Sequence, residues 1–247
     1  MTNEPGSDTI LVIFTMVKLC KRGQKMKKIM RKVTVLLTGI LLLTSLTACS
    51  KFDASAYVKA VLDNAYFNDA TGILELGLST EEEATTVYNK GVESLVGVTL
   101  SNVAVSEALK AEYYQFYVDL YAGAKYAVGE ATEIDENTYE VPVVCEKLQV
   151  FGNANLAYEA ELQTMAATWT EDALAGEEVP SDEEKYEQFF TVYKKCLNAE
   201  LEKAIYEEPV TLTVKVEKVN GVWMLNTEDR LNIEYALIDF EEMFETQ

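Results

Sequence analysis

The chain contains no histidine among its 247 residues. Histidine is the commonest general base in enzymes and the commonest protein ligand of transition metals. Its absence excludes catalytic triads that include histidine and zinc sites of the His-Glu-x-x-His kind. An acid-base enzyme built from this chain would have to use carboxylates, as glycosidases do with two acidic groups.

Basic residues are scarce and unevenly distributed. Residues 1–48 hold eight of the 21 Lys and Arg but only two of the 41 Asp and Glu, so residues 49–247 carry a formal charge of −26. Nucleic acids and anionic lipid headgroups attract basic surfaces. We therefore expect no nucleic-acid partner. The charge favours solubility and cationic partners, but it does not define a site.

Two runs of acids, Glu81–Glu83 and Asp182–Glu184, could hold calcium. Both runs fall in the first turns of predicted helices, where acids complement the helix dipole. Neither has the glycine and alternating acids of an EF-hand loop. Together with the absence of histidine, this predicts no metal and no cofactor.

Long apolar runs are confined to the N-terminal region. Basic residues follow Met26, and the apolar run Val33–Leu46 is shorter than the roughly 20 residues that a membrane-spanning helix needs. The next residues complete a tetrapeptide that resembles the lipobox read by the lipoprotein signal peptidase: Leu46, Thr47, Ala48 and Cys49. Residues 26–48 are therefore predicted to be a lipoprotein signal peptide. The mature chain would begin at Cys49, thioether-linked to two fatty acyl chains such as palmitate. An ordinary signal peptide with a chance cysteine is the alternative.

Residues 1–25 are predicted to be leader sequence or a non-native extension, because a signal peptide acts from the amino terminus. Arg22-Gly23 can be encoded by a purine-rich stretch that resembles a ribosome-binding site, two codons before Met26. We expect translation to start at Met26. The alternative is an unusually long basic region ahead of the apolar run.

The rest of the chain is predicted to be one domain, residues 54–247, after a short tether at residues 49–53. Three helical patterns come first. Asp53 can cap the first, Ser79 and Thr80 each offer a capping box for the second, and Ser106 can cap the third. Two β-rich stretches, 126–134 and 138–151, then predict a hairpin. Pro142 indicates that the second strand starts at an edge or a bulge.

Two long helical patterns follow, and they predict an antiparallel helical hairpin that turns at residues 175–180. The first pattern is marked by Leu156, Leu162, Met165, Ala166, Trp169 and Ala173, and the second by Phe189, Val192, Tyr193, Cys196, Leu201 and Ile205. Alternating residues from Val210 and the turn pair Asn220-Gly221 predict a second β-hairpin. A final helix is predicted from Thr227 to the end. The predicted fold class is α+β: a four-stranded antiparallel sheet from two β-hairpins, packed with N-terminal helices, an inserted helical hairpin and a C-terminal helix.

Cys145 and Cys196 are the two cysteines that remain after the predicted anchor. An exported protein could bridge them. Each cysteine also completes an apolar stripe, as a buried free thiol would. We predict free thiols.

Three segments after the lipobox resemble uncharacterised lipoproteins of low-GC Gram-positive bacteria. They are the Asp53–Asp63 helix, the Ser79–Ala84 helix start and the tyrosine-rich stretch that leads into Lys125–Val128. The resemblance implies a membrane-anchored, extracytoplasmic location and no known activity. A fainter resemblance, of residues 216–223 to the closing strands of nuclear-transport-factor-like lipoproteins, is the alternative, from which the inserted helical hairpin departs.

Two hypotheses of different classes follow. The first is a non-catalytic binding or scaffolding module, held at the membrane by its lipid and binding a protein, peptide or glycan partner. Its predicted partner surface is where the helical hairpin meets the sheet, near Trp169 and the Gly176 turn. The alternative is a histidine-free envelope enzyme that uses paired carboxylates.

Replacing Cys49 with Ala tests the predicted anchor. We expect the variant to be released into the medium or to accumulate as an uncleaved precursor, because the lipobox signal peptidase acts only on a lipidated cysteine. Cell fractionation with gel mobility measures both outcomes. A processed variant of normal size in the membrane fraction would contradict the lipobox prediction.

Overall fold

A computed structural model describes residues 52–100 and 103–244. The predicted start at Met26, the lipobox residues Leu46, Thr47 and Ala48, and the lipidation site Cys49 lie outside the described residues. Within the described ranges, no helix combines the length and the apolar character that crossing a membrane requires.

The described residues form seven α-helices, one antiparallel sheet and a final 3₁₀ helix. In chain order the elements are α1 (Ala54–Phe67), α2 (Thr71–Glu75), α3 (Glu81–Thr99), α4 (Glu107–Ala122), β1 (Lys125–Val128), β2 (Thr132–Asp135), β3 (Thr138–Glu146), α5 (Phe151–Ala175), α6 (Asp182–Leu201), β4 (Val210–Val219), β5 (Val222–Leu225), α7 (Thr227–Leu237) and the 3₁₀ helix (Phe240–Phe244). The strand order is β1-β3-β4-β5, and β2 also pairs with β3. The predicted α+β class and antiparallel sheet are confirmed.

Local side-chain caps start the helices where the sequence predicts them. Asp53 accepts from the Ala56 amide at 2.9 Å, and Ser106 accepts from the Leu109 amide at 3.1 Å. Complete capping boxes open α3, at Thr80 and Glu83, and α6, at Ser181 and Glu184. The short helix α2 was not predicted, because five residues are too few to show an apolar period.

The first predicted hairpin differs from the structure in two places. Its first strand is split into β1 and β2, which pair with successive parts of β3. Its second strand ends at Glu146 and not at Phe151, because the backbone beyond it bonds elsewhere: the Leu148 amide donates to Leu237 O and the Gln149 amide to Ile205 O.

Pro142 lies inside the central strand β3, opposite the gap between β1 and β2, so it marks an irregularity but not the start of the strand. The Gly129 amide donates to Pro142 O at 2.8 Å, and proline has no N–H to return to Gly129 O. Ser55 of α1 supplies the missing donor: its Oγ donates to Gly129 O at 2.8 Å and accepts from the Ala131 amide at 2.8 Å. A Cβ at Gly129 would approach Pro142 Cγ to 2.8 Å, so only glycine fits there.

The core lies between one face of the sheet and the N-terminal helices. Along β3, alternate residues Val141, Val143 and Cys145 are fully buried. Many of the 14 tyrosines belong to this core, and the most buried of them lie on α4: Tyr113, Tyr117 and Tyr121. Their rings fill space as phenylalanine would, while hydroxyls find acceptors such as Phe190 O, 2.8 Å from the Tyr113 hydroxyl.

The two helices of the predicted helical hairpin are present but differ in burial. Helix α6 buries Tyr193, Cys196 and Leu197 against the core. Helix α5 buries only three residues along its 25: Phe151, Ala154 and Trp169. The predicted stripe on α5 is therefore wrong in part, since Leu156 is 59% exposed and Ala173 is exposed. The reason is that α5 packs mainly on α6 and the 3₁₀ helix.

The predicted C-terminal helix ends early, at Leu237. Ile238 is extended (φ −142°, ψ 140°) and pairs with Leu148 in a parallel bridge. Asp239 is buried and accepts from three backbone amides at the start of α5: Val150, Phe151 and Gly152. Placing this carboxylate at α5 requires the chain to leave the helix, so the helical period could not continue to Phe244.

Ser55→Ala tests whether the Ser55 hydroxyl replaces the hydrogen-bond donor that Pro142 lacks. The variant leaves Gly129 O and the Ala131 amide without their partner, so we expect the free energy of unfolding to fall by about 1–3 kcal/mol. Urea denaturation measures the change. The matched control is Ser94→Ala, which removes only an exposed hydroxyl bonded within its own helix. Equal stabilities of the two variants would contradict this account.

The predicted free thiols are confirmed, since Cys145 and Cys196 are both free and buried. Burial raises the pKa of the Cys145 thiol to about 11. Because alkylation requires the thiolate, we expect both cysteines of the native protein to resist iodoacetamide at pH 8 and both to react after denaturation. Mass spectrometry counts the added groups. A pair that stays unmodified in denaturant without reductant would reveal a disulfide and contradict the assignment.

Candidate binding groove

A groove of about 620 Å³ runs between the C-terminal half of α1 and the outer edge of β1. It is open to solvent along its length. Its lining comes from α1, β1 and the adjacent end of β3: Lys59, Asp63, Phe67, Ala124, Lys125, Tyr126, Ala127, Val128, Val144 and Glu146. The groove is therefore built from a strand edge and two walls.

The edge is formed by backbone groups of β1. Among the described strands, β1 pairs only with β3, so its other edge has no strand partner there. Gly129 and Pro142 face each other as a hydrogen-bonded position. Since such positions alternate along antiparallel strands, the backbone groups of Tyr126 and Val128 point away from β3 and into the groove.

The first wall belongs to α1 and is partly aromatic. Phe67 is 43% exposed, and its ring stacks on that of Tyr126 with centroids 5.6 Å apart. The Tyr126 hydroxyl donates to Asp63 Oδ1 at 2.6 Å, while Lys59 Nζ lies 2.5 Å from Asp63 Oδ2. Burial and this bond to a carboxylate raise the pKa of Tyr126, so its hydroxyl stays a donor at neutral pH.

The second wall belongs to the open face of the sheet. Ala127 pairs with Val144, which is 37% exposed, and Lys125 pairs with Glu146. The Lys125 ammonium also lies 3.5 Å from the centre of the Tyr206 ring. This wall offers an apolar patch beside one charge of each sign. Within residues 52–100 and 103–244, no group of three or more acids and cysteines has the arrangement of a metal site.

The two residues of the predicted partner surface, Trp169 and Gly176, lie in the outer half of the helical hairpin and not where the hairpin meets the sheet. Trp169 is 6% exposed, and its ring meets that of Phe189 edge to face at 5.4 Å. Gly176 ends α5 in the left-handed conformation (φ 77°), at the exposed tip. Neither residue lines the groove. That this region contacts a partner stays a prediction.

The groove does not follow from the sequence patterns. The signal was present on α1, where Lys59, Asp63 and Phe67 recur every four residues beside the apolar stripe and so share a second face of the helix. What the sequence does not show is that this face meets a free strand edge about 60 residues later. That meeting depends on long-range packing.

Comparisons with known proteins find little similarity. No family model matches the chain, and no curated protein matches it. Among solved structures, a crystal structure of the putative lipoprotein ycdA from Bacillus subtilis is similar, with 17% sequence identity and a TM-score of 0.49. The match covers 75% of this chain and 56% of that chain. No match identifies a family.

Proposed function

We propose that the mature chain is a lipid-anchored, extracytoplasmic binding module that binds an extended polypeptide segment in the groove, without catalysis. The observation that carries the proposal is the free edge of β1 at the base of a two-walled groove. A peptide that adds a strand to such an edge gains main-chain hydrogen bonds from any sequence and specificity from the pockets beside it.

The geometry of the groove fits strand addition. Tyr126 and Val128 each direct one amide donor and one carbonyl acceptor outwards, which matches the alternate backbone groups of an incoming strand. Successive side chains of that strand would point to opposite sides. One set would meet Phe67 on the α1 wall, and the other would meet Ala127 and Val144 on the sheet wall.

The charged groups of the groove favour binding over carboxylate chemistry. Two carboxylates line it, Asp63 and Glu146. Asp63 is already engaged by the Lys59 ammonium and the Tyr126 hydroxyl. An enzyme with two working carboxylates would need both to reach the substrate. The paired-carboxylate enzyme stays the alternative function.

The outer half of the helical hairpin is a second candidate contact surface for the same function. Between Leu156 and Thr170, the fully exposed residues of α5 are uncharged, while Glu159 and Glu161 are half-buried and Glu161 lies 3.6 Å from the Lys195 ammonium. The uncharged exposed residues support the predicted partner surface near Trp169 and Gly176, although the Trp169 ring itself is buried.

A pair of substitutions at Val128 tests the groove. In Val128→Pro the outward amide donor is lost, while the β3-facing bonds of the neighbouring residues are kept; Val128→Thr is the matched control, because it retains the amide and the β-branched shape. The probe is a pool of random 12-residue peptides displayed on phage. We expect peptides selected on the natural protein to bind Val128→Thr and to lose binding to Val128→Pro at equal thermal stability.

Hydrogen exchange locates the bound peptide. Binding should slow exchange at the amides of Tyr126 and Val128, because strand addition engages them. Protection confined to α5 and the Gly176 turn would move the binding surface to the helical hairpin. Unchanged binding to Val128→Pro, or turnover of the selected peptides by the purified protein, would overturn the proposal.

A further inference from the structure

Four aromatic rings cluster where the described chain begins. Phe52 stacks on Trp223 with centroids 4.4 Å apart and planes 4° apart. It also meets Tyr57 at 5.6 Å and Tyr139 at 5.8 Å. The start of the domain is thereby fixed to one end of the sheet, where β3 begins and the β4–β5 hairpin turns.

The predicted lipid lies very close to this cluster. Cys49 precedes Phe52 by three residues, and three residues span at most about 11 Å even when fully extended. A lipid chain on Cys49 is buried in the bilayer, so Phe52 must stay within that reach of the membrane surface. The rigid stack carries Trp223 and the β4–β5 hairpin with it.

The residues at this end suit a membrane interface. We define the anchor-proximal surface by Phe52, Ile134, Lys218, Val219 and Trp223. Ile134 is 53% exposed and Val219 is 48% exposed. Ile134 lies on β2 and Val219 on β4, and the turns that follow these two residues lie side by side, since the Lys218 amide donates to Asn137 O at 2.8 Å.

Trp223 and Lys218 form a cross-strand pair, with the Lys218 ammonium 5.5 Å from the ring centre. Tryptophan is enriched at the level of lipid headgroups, and lysine reaches the headgroups while its stem covers apolar surface. At the end of the sheet, the anchor-proximal surface thus combines the half-buried Trp223 ring and the Lys218 ammonium from the core face with the exposed Val219 from the other face and the exposed Ile134.

The charges near the anchor-proximal surface show whether electrostatic attraction or apolar burial would hold it at the membrane. Asp135 ends β2, Glu136 lies in the β2–β3 turn, and Glu217 lies on β4, so the end is not basic overall. Attraction to anionic headgroups is therefore not the driving force. The tether supplies a high local concentration, and the apolar side chains supply the favourable transfer from water.

We propose that the anchor-proximal surface rests on the bilayer interface, with Trp223 and Val219 at the level of the headgroups. The inference depends on the lipidation of Cys49 in the proposed function and adds a defined orientation to it. The groove residues Lys125 and Glu146 and the roots of the helical hairpin lie at the other end of β3. Nine residues of β3 span about 30 Å, so Lys125, Glu146 and the hairpin roots are separated from the anchor-proximal surface by most of that length.

Tryptophan quenching tests the orientation, because the chain has two tryptophans at separate places. The full lipidated protein is reconstituted into phosphatidylcholine vesicles with and without lipids brominated near the headgroup. We expect Trp169→Phe, which keeps Trp223, to lose fluorescence in the brominated vesicles. We expect Trp223→Phe, which keeps the buried Trp169 of the hairpin, to be unaffected.

A second measurement avoids changes in the core. Single cysteines at Asn220→Cys in the β4–β5 turn and Glu177→Cys near the hairpin tip are labelled with an environment-sensitive dye, since the natural thiols are buried. Only the label at position 220 should shift to the blue on vesicle binding. Equal spectra at both positions, or quenching of Trp169 and not Trp223, would overturn the orientation.

Lipidation of Cys49 and the orientation of the domain can be tested separately. Mass spectrometry of the membrane-extracted protein shows whether Cys49 carries a diacylglyceryl group. An unlipidated Cys49 would remove the anchor and the orientation with it, while peptide binding in the groove would remain to be judged separately. A lipidated protein without any quenching of Trp223 would overturn the orientation alone.

Discussion

The buried carboxylate of Asp239 joins the segment after α7 to the start of α5, two parts of the chain that are distant in sequence. Its two oxygens accept from the amides of Val150, Phe151 and Gly152 at 3.0 to 3.1 Å. These amides begin α5, and no local side chain caps that helix. Because unpaired amides in a buried helix start are costly, α5 depends on this carboxylate for its position.

Backbone bridges at the same junction fix the base of the helical hairpin to the rest of the domain. Leu148 lies between two segments, with an antiparallel bridge to Tyr206 and a parallel bridge to Ile238. Burial raises the pKa of Asp239, whereas the three amide bonds oppose that rise. The amides at the start of α5 thus offset part of the cost of burying this carboxylate. Helix α5 buries only three side chains along its 25 residues. Its direction therefore depends mainly on the contacts of its first turn.

The contrast between this junction and the other helix starts shows what a single sequence can predict. Caps at Thr80 and Ser181 lie within three residues of the amides they satisfy, so the pattern is visible in a short window. The same holds for the Asn220-Gly221 turn, where both residues have positive φ. Asp239 acts on residues almost 90 positions away, and no window contains both partners. Only the missing local cap at Val150 hinted that a distant group was needed.

The contact between Ser55 and the strand gap opposite Pro142 is a second long-range interaction that the sequence does not show. A proline in the second β-rich stretch indicated an edge or a bulge, and the structure has an interruption opposite it. The sequence could not show that a serine in the first turn of α1 would replace the missing donor. That contact fixes the start of α1 to the gap between β1 and β2, and so it sets where the rest of α1 lies against β1. The groove depends on this contact. The Ser55 hydroxyl bonds lie outside the groove, but they fix the position of its α1 wall relative to the edge of β1.

The two proposed surfaces, one for the membrane and one for a polypeptide partner, lie at opposite ends of strand β3. Strand β3 pairs on both of its edges, with β1 and β2 on one side and β4 on the other, so it resists bending. Its first residues lie beside Phe52 and the predicted lipid, and its last residues form part of the groove and lead into the hairpin root. On the proposed orientation and the proposed groove, membrane contact and partner binding would use different surfaces, because the anchor-proximal surface and the groove residues Lys125 and Glu146 lie at opposite ends of β3.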